Sequence, residues 1–428
     1  MARLVINGRT ALSGTHRISG NKNAALPMIA ATLLTGDAVT LENVPDISDV
    51  ADMLEAARTL GVLVTRNKSR RTIELCAAHL RSARIGANLA SKIRTSILFA
   101  GPLLARLGRA VLPPPGGDAI GRRRLDTHFD GFRALGAKAV FSPRSLVLEG
   151  RLHGSRILLD EASVTATENI LMAAVMAKGE TVIFNAACEP HVSDLANMLN
   201  AMGARIGGIG TNRLEVVGVD SLHGCSARVG CDYIEAGSYI AATAATGGSI
   251  VLTDIDPEPF EVLAGAFARF GVRWTVDASG RTLRCRGRVR PTMKYDLGDA
   301  IPSVADGTWP AFPSDLMSVL IVLATQTRGT CLFFEKMFES RLYFVDRLRQ
   351  MGARIVQCDP HRVVVTGPTR LSGGLVASND IRAGIALVIA ALCADGESVI
   401  DAAETIDRGY PDVVKVLNSL GASVRRVS

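Results

Sequence analysis

Two kinds of hydrophobic pattern alternate along the chain. Ala24–Leu34, Ile170–Ala177, Leu316–Ala324 and Ile385–Ala394 are apolar nearly all round, the pattern of helices buried on every side. Other stretches carry a single apolar face: Val50, Met53, Leu54 and Ala57 follow the i, i+3, i+4, i+7 spacing of an amphipathic helix. Helical stretches end in a Leu/Met/Phe-Gly step at Leu60-Gly61, Leu135-Gly136, Met202-Gly203, Phe270-Gly271, Met351-Gly352 and Leu420-Gly421. Each glycine is placed to be a left-handed helix C-cap. A strand-like run follows each, such as Ala204-Arg205-Ile206 or Ala353-Arg354-Ile355-Val356. A second series, Gly36, Gly108, Gly179, Gly247, Gly329 and Gly396, closes the very apolar helices in phase with the first. Two independent markers that keep one period of about 70 residues predict six copies of one unit. Each unit holds strands, one buried helix and one amphipathic helix, which makes the fold α/β. Six units divide most simply three and three into two lobes, with ligands expected in a cleft between them.

Composition narrows the class. With 428 residues, 48% of them hydrophobic, the chain is long enough for two or three domains. A net charge of +7 draws anions. The basic residues are dispersed except at Arg122–Arg124 and Arg281–Arg290, and the second cluster reads as a solvated strand and turn. With aromatics at 5% and no nucleic-acid-binding motif, nucleic acid is not the expected partner. The 8 cysteines form no CxxC pair and the 7 histidines show no metal-ligand spacing, which argues for reduced thiols in a cytosol and against a disulfide framework or zinc site. Met1–Gly14 lacks the apolar region of a signal peptide, and the longest apolar runs are too short to span a membrane. A cytoplasmic protein without a membrane partner is expected.

Polar constellations stand at the mouths of the buried helices. In Ser19-Gly20-Asn21-Lys22-Asn23-Ala24-Ala25-Leu26-Pro27, Asn23 is expected to cap the helix and Pro27 to fall in its first turn. Lys22 then stands at a positive helix N-terminus, either as an anion site or as a solvated lysine. Pro113–Asp126 runs from three prolines through Gly116-Gly117 to Asp118 and Arg122-Arg123-Arg124. It reads as a structured loop that folds over a phosphorylated ligand, or as an exposed glycine turn. Further candidates are Lys92–Ser96, Pro313-Ser314-Asp315, Asp380-Ile381-Arg382 and Asp407–Tyr410. On local grounds Asp315 and Asp380 are simply N-caps of apolar helices.

The Lys22-Asn23 segment, the Arg94 helix, the Gly116–Asp126 loop, Ser163-Val164, Pro310–Asp315, Phe338–Arg341, Asp380–Arg382 and Asp407–Tyr410 occur in one order. In that order the chain resembles the UDP-N-acetylglucosamine enolpyruvyl transferase family essentially end to end. The resemblance implies a two-lobed inside-out α/β barrel with three units per lobe. One lobe would be residues 1–21 plus 231–428, and the other 22–230, which carries the 113–126 lid loop. It implies transfer of the enolpyruvyl group of phosphoenolpyruvate to the 3-hydroxyl of UDP-N-acetylglucosamine with release of phosphate, a step of peptidoglycan precursor synthesis. No metal or organic cofactor is implied.

By the same resemblance Lys22, Arg123 and Arg408 hold the phosphate and carboxylate of phosphoenolpyruvate, with Arg94 nearby. Asp315 takes the proton of the attacking hydroxyl. Arg123, Arg124, Leu125, Asp126 and Thr127 enclose the uracil. Glu161, Ala162, Ser163 and Val164 meet the diphosphate, and Asn23, Asp315 and Met337 the sugar. Arg341, Asp380 and Arg382 complete the substrate-binding set. Asp118 stands where the family usually has a cysteine that protonates the methylene carbon, and Asp can do so only while protonated. Glu161 replaces a common Lys, Ser48 another, and Arg124 a usual Pro. The alternatives are transfer to another uridine nucleotide such as UMP, or a non-catalytic nucleotide-binding relative. Retention of Lys22, Arg94, Asp118, Arg123, Asp315, Arg382 and Arg408 together argues against the second.

Overall fold

The glycines of the Leu/Met/Phe-Gly series close their helices as the pattern predicts. All of them take positive φ, from +72° at Gly271 to +101° at Gly61. At Gly61 a Cβ would also meet the carbonyl oxygen of His79 at 2.4 Å, so no other residue fits there without a shift. In the second series Gly108, Gly179, Gly247, Gly329 and Gly396 have positive φ. Gly36, which follows a 3-10 turn at Thr32–Leu34, does not.

The computed structural model describes residues 2–117, 120–287, 291–377 and 380–427. Among the described residues there are six sheets, five of four strands and one of three. One sheet illustrates the pattern: Ala38–Glu42 pairs parallel to Ser226–Arg228 and antiparallel to Thr72–Cys76, which pairs in turn with Leu63–Asn67. Alternate residues along Thr72–Cys76 are buried, the period-2 signature of a sheet with one covered face. The very apolar helices are Lys22–Ala31, Ala100–Leu107, Val164–Ala174, Tyr233–Thr246, Met317–Gln326 and Ile381–Cys393, and of these Ala100–Leu107 is buried only through Leu104, with Leu107 exposed. In Ser48–Leu60, Val50, Met53, Leu54 and Ala57 are all buried, as their spacing requires.

The chain divides into two compact units. Unit 1 comprises Met1–Ser19, Asp118–Arg122 and Cys231–Ser428; unit 2 comprises Gly20–Gly117 and Arg123–Gly230. The expected boundary lies two residues later, after residue 21, and keeps 113–126 whole within one lobe. Each unit owns three sheets and one hydrophobic core. Unit 1 depends on both N-terminal strands. Arg3–Asn7 lies between Glu397–Asp401 and Ser423–Val427, and Ser13–Arg17 pairs with Ser249–Thr253. Within unit 1 the helices Tyr233–Thr246, Met317–Gln326 and Ile381–Cys393 pack on one another. In unit 2 Ala100–Leu107 packs on Val164–Ala174, and Lys22–Ala31 on the 3-10 turn Arg94–Phe99. Among the described residues no helix is long and apolar enough to cross a membrane.

Two expectations at the first helix need correction. Asn21, not Asn23, is the N-cap: its side chain accepts from the backbone N–H of Asn23, and Lys22 is already helical. The helix therefore starts earlier than expected and Pro27 falls beyond its first turn. There its missing N–H deprives the Asn23 carbonyl of the usual helical donor. At Asp380 the cap reading is right, since its Oδ1 accepts from Arg382 N at 2.8 Å and Ala383 N at 2.9 Å. Asp315 is not a cap; it lies in a 3-10 turn, Ser314–Leu316, with no side-chain cap bond at its start.

Candidate active site

The predicted site residues fall in both units. Unit 2 holds Lys22, Asn23, Arg94, Arg123–Thr127 and Glu161–Val164; unit 1 holds Asp315, Met337, Arg341, Asp380, Arg382 and Arg408. Asp118 lies outside the described residues, as do Arg288–Arg290 of the second basic cluster.

In unit 2 the Lys22 side chain, 11% exposed, pairs with Asp49 at 2.5 Å. Asp49 sits in the first turn of Ser48–Leu60, where a helix N-terminus favours a carboxylate. The pair thus presents a lysine whose charge is already partly balanced. Arg94 opens the Arg94–Phe99 turn and donates to the carbonyl oxygens of Arg123 at 2.6 Å and Arg124 at 3.3 Å. It therefore fixes the backbone of the predicted uracil-side stretch. Burial lowers the Arg94 pKa to about 10, the Arg123 charge adds to that, and Glu161 opposes it. Two guanidiniums crowded into a half-buried place are stabilised by a bound anion. Gly117 allows the crowding: with φ +109° and a Cβ position 2.7 Å from Arg123 Nη2, it leaves room for no side chain.

Arg124 is exposed and pairs with Asp126 at 3.3 Å and Asp160 at 2.8 Å. Asp160 also accepts from Thr127 Oγ1 at 2.6 Å, the main reason its pKa is lowered. Leu125 precedes the helix Asp126–Ala134, and Thr127 is buried in its first turn. Glu161 and Ala162 lead into Ser163, the N-cap residue of Val164–Ala174. The Glu161 pKa is raised, first by burial and then by Asp160 and Asp126, against Arg124 and Arg94. A carboxylate here disfavours a second anion, so protonation of Glu161 would favour any anion bound beside it.

Unit 1 is built on Asp315. Its Oδ1 accepts from Arg341 at 3.1 Å and its Oδ2 from Arg382 at 2.7 Å, and both guanidiniums are buried. Arg382 reaches Tyr410 OH at 3.3 Å, and Tyr410 OH bonds Ser238 Oγ at 2.8 Å. Burial alone would lower the Arg382 pKa, but Asp315, Tyr410 and Asp232 raise it above its ordinary value. Gly409 packs on this group so closely that a Cβ would meet Ile381 Cγ2 at 2.7 Å. That packing places the neighbouring half-buried Arg408 beside the Arg382 helix. Met337 is 39% exposed. Within the loop, residues 120–122 are tied down within unit 1: Arg122 N donates to Glu339 at 2.8 Å and Ser340 N to the Ile120 carbonyl at 3.1 Å.

Sequence reading missed several supporting residues. Asp49 pairs with Lys22 and Asp160 holds Thr127. His128 accepts from Asn169 Nδ2 at Nδ1 and donates from Nε2 to Thr165. Ser314 binds Glu335. None of these pairs shares a local motif, because each joins elements far apart in the chain. An acid in a first helical turn, as at Asp49, was the one available signal.

Comparison with known proteins places these features. The EPSP synthase (3-phosphoshikimate 1-carboxyvinyltransferase) family model matches residues 6–417. The enolpyruvyl transferase NikO from Streptomyces tendae superposes with a TM-score of 0.87 at 24% identity, covering 100% of this chain and 99% of that one. EPSP synthase from Acinetobacter baumannii gives 0.77 at 19% identity, with 100% of both chains covered. These likenesses establish the two-lobed inside-out α/β fold. Among curated relatives, the UDP-N-acetylglucosamine 1-carboxyvinyltransferase of Treponema denticola is 48% identical over 99% of both chains. That of Borreliella burgdorferi is 48% identical over 100% of this chain and 99% of its own. Matched over its whole length at nearly half of all positions, the chain belongs to the UDP-N-acetylglucosamine 1-carboxyvinyltransferase family.

Proposed function

We infer that the chain transfers the enolpyruvyl group of phosphoenolpyruvate to the 3-hydroxyl of UDP-N-acetylglucosamine, releasing phosphate. The observation that carries this reading is the full-length identity to enzymes of that name. The cationic groups of unit 2 and the Asp315 cluster supply suitable chemistry.

The reaction is an addition followed by an elimination. The sugar oxygen bonds to C2 of phosphoenolpyruvate as Asp315 takes the hydroxyl proton and an acid protonates C3. The C2–O bond to phosphate then breaks, C3 loses a proton, and the vinyl group reforms on the sugar ether. Lys22, Arg94, Arg123 and Arg408 hold the phosphate and carboxylate by charge-assisted bonds. Asp315 is suited to its role because Arg341 and Arg382 grip one oxygen each and fix the carboxylate plane. Asp118 is assigned the acid role by the family pattern. A cytoplasmic enzyme that feeds peptidoglycan precursor synthesis fits this reading.

Phosphate release from phosphoenolpyruvate tests the reading, with UDP-N-acetylglucosamine, UMP or no acceptor present. Release only with the sugar nucleotide is expected. Release with UMP alone points to a different uridine acceptor, and none with any acceptor points to a non-catalytic relative.

A further inference from the structure

Near Asp315 in the sequence and joined to it through Ser314 lies an acidic pair that the proposed chemistry leaves unused. Asp306 directly follows the strand Ser303–Ala305, and Glu335 directly follows Gly329–Phe334. These strands pair in parallel with Ala305 opposite Phe334, so both acids follow their strands at the same end of the sheet. Glu335 is 0% and Asp306 2% exposed.

Their bonds are unequal. Asp306 Oδ1 accepts from Lys336 N at 2.5 Å, whereas its buried Oδ2 has no donor. The Glu335 carboxyl is near enough to Asp306 to interact with it directly. Both Glu335 oxygens lie 2.9 Å from Ser314 Oγ, and Oε1 also accepts from Met337 N at 3.2 Å and Phe338 N at 3.1 Å. Two adjacent carboxylates removed from water cannot both stay ionised without a large cost. A proton on one of them supplies the donor that Asp306 Oδ2 otherwise lacks.

We propose that Asp306 and Glu335 share one proton and serve as a positioning pair, gripping Ser314 and the Met337–Phe338 turn so that Asp315 stays aimed at its substrate. The link to turnover rests on the reading of Asp315 as the base; the shared proton does not. Burial, then Asp306, raise the Glu335 pKa well above the carboxylate range, against Arg341 and Ser314. Other charged neighbours act less directly. His361 Nδ1 bonds the Glu335 backbone carbonyl at 2.7 Å, and Lys336 Nζ lies over the Phe334 ring at 5.4 Å. Arg341 also holds Asp315, so it couples the two acids. The pair keeps its proton through neutral pH and loses it in the alkaline range. Two repelling negative charges then loosen the Ser314 and Met337 contacts.

Glu335→Gln keeps an acceptor for Ser314 and gives Asp306 a permanent donor, whereas Glu335→Ala removes both. Glu335→Ala should lower kcat on the order of 100-fold, the scale set by small misplacements of a reacting group. KM should move less than kcat, and Glu335→Gln should recover most of the loss. The alkaline fall of the wild-type kcat profile should shift or vanish in Glu335→Gln. An infrared difference spectrum at neutral pH, wild type minus Glu335→Gln, should show a protonated carboxyl band. Asp306→Asn gives the same readouts should Glu335→Gln fold poorly. No protonated-acid band in either difference spectrum overturns the shared proton, whatever the role of Asp315. A band with superimposable pH–kcat profiles overturns the positioning role. Retained turnover in Asp315→Ala faults the reading of the base instead.

Discussion

Asp315 is where a single side chain carries most consequence. Asp315→Ala should abolish turnover while the sugar nucleotide still binds, measurable by calorimetry alongside phosphate release. It should also cost about 2 kcal/mol of stability by leaving Arg341 and Arg382 without their shared counter-charge, a figure reduced because the Asp315 side chain is 26% exposed. Turnover within about threefold of wild type would place the base elsewhere. Asp118 carries the second prediction at this scale. A carboxylate opens an epoxide far less readily than a thiolate. Incubation with fosfomycin should therefore leave the intact mass unchanged, and Asp118→Cys should gain an adduct. His128 gives a third. Burial, reinforced by Arg94, lowers its pKa to about 3, so the folded protein holds it neutral. Between the ordinary histidine range and that value the unfolded chain binds the extra proton. Stability should thus fall with decreasing pH by about 1.4 kcal/mol per unit from this group. Urea unfolding at neutral and mildly acid pH should show that slope diminished in His128→Gln.

Elements translate these residues into geometry. The Asp380 cap orders the first turn of Ile381–Cys393, and that turn presents Arg382 to Asp315. Asp380→Ala should cost about 1 kcal/mol in thermal unfolding and lower kcat as well. Loss of stability without loss of kcat would separate the cap from the site. The elements themselves were legible in the sequence, because continuous apolar runs and helix-ending glycines are local signals. Gly61 and its counterparts can be read from neighbours alone, since their φ follows from ending a helix. The start of the first helix was not. Asn21 and Asn23 are both competent caps, and only the fold decides that Asn21 takes that place. The Lys22–Asp49 and Glu335–Asp306 pairings were invisible for a related reason: each depends on how separate elements meet. Asp315 was nameable only through its resemblance to a family, since on local grounds it read as a cap.

At the scale of the whole molecule, six repeats become two units with three sheets each. Unit 1 draws both of its first strands from the N-terminus, and Arg3–Asn7 is the interior strand between two C-terminal ones. Removing residues 1–19 should therefore unfold unit 1 while unit 2, with its separate core, keeps a cooperative transition by calorimetry. The proposed chemistry is passage of the enolpyruvyl group from phosphoenolpyruvate to the sugar nucleotide. Mass spectrometry of the nucleotide after incubation with the enzyme and phosphoenolpyruvate tests it most directly. The expected product is UDP-N-acetylglucosamine enlarged by one enolpyruvyl group, with one phosphate released per product. Phosphate released while the sugar nucleotide keeps its original mass would contradict it.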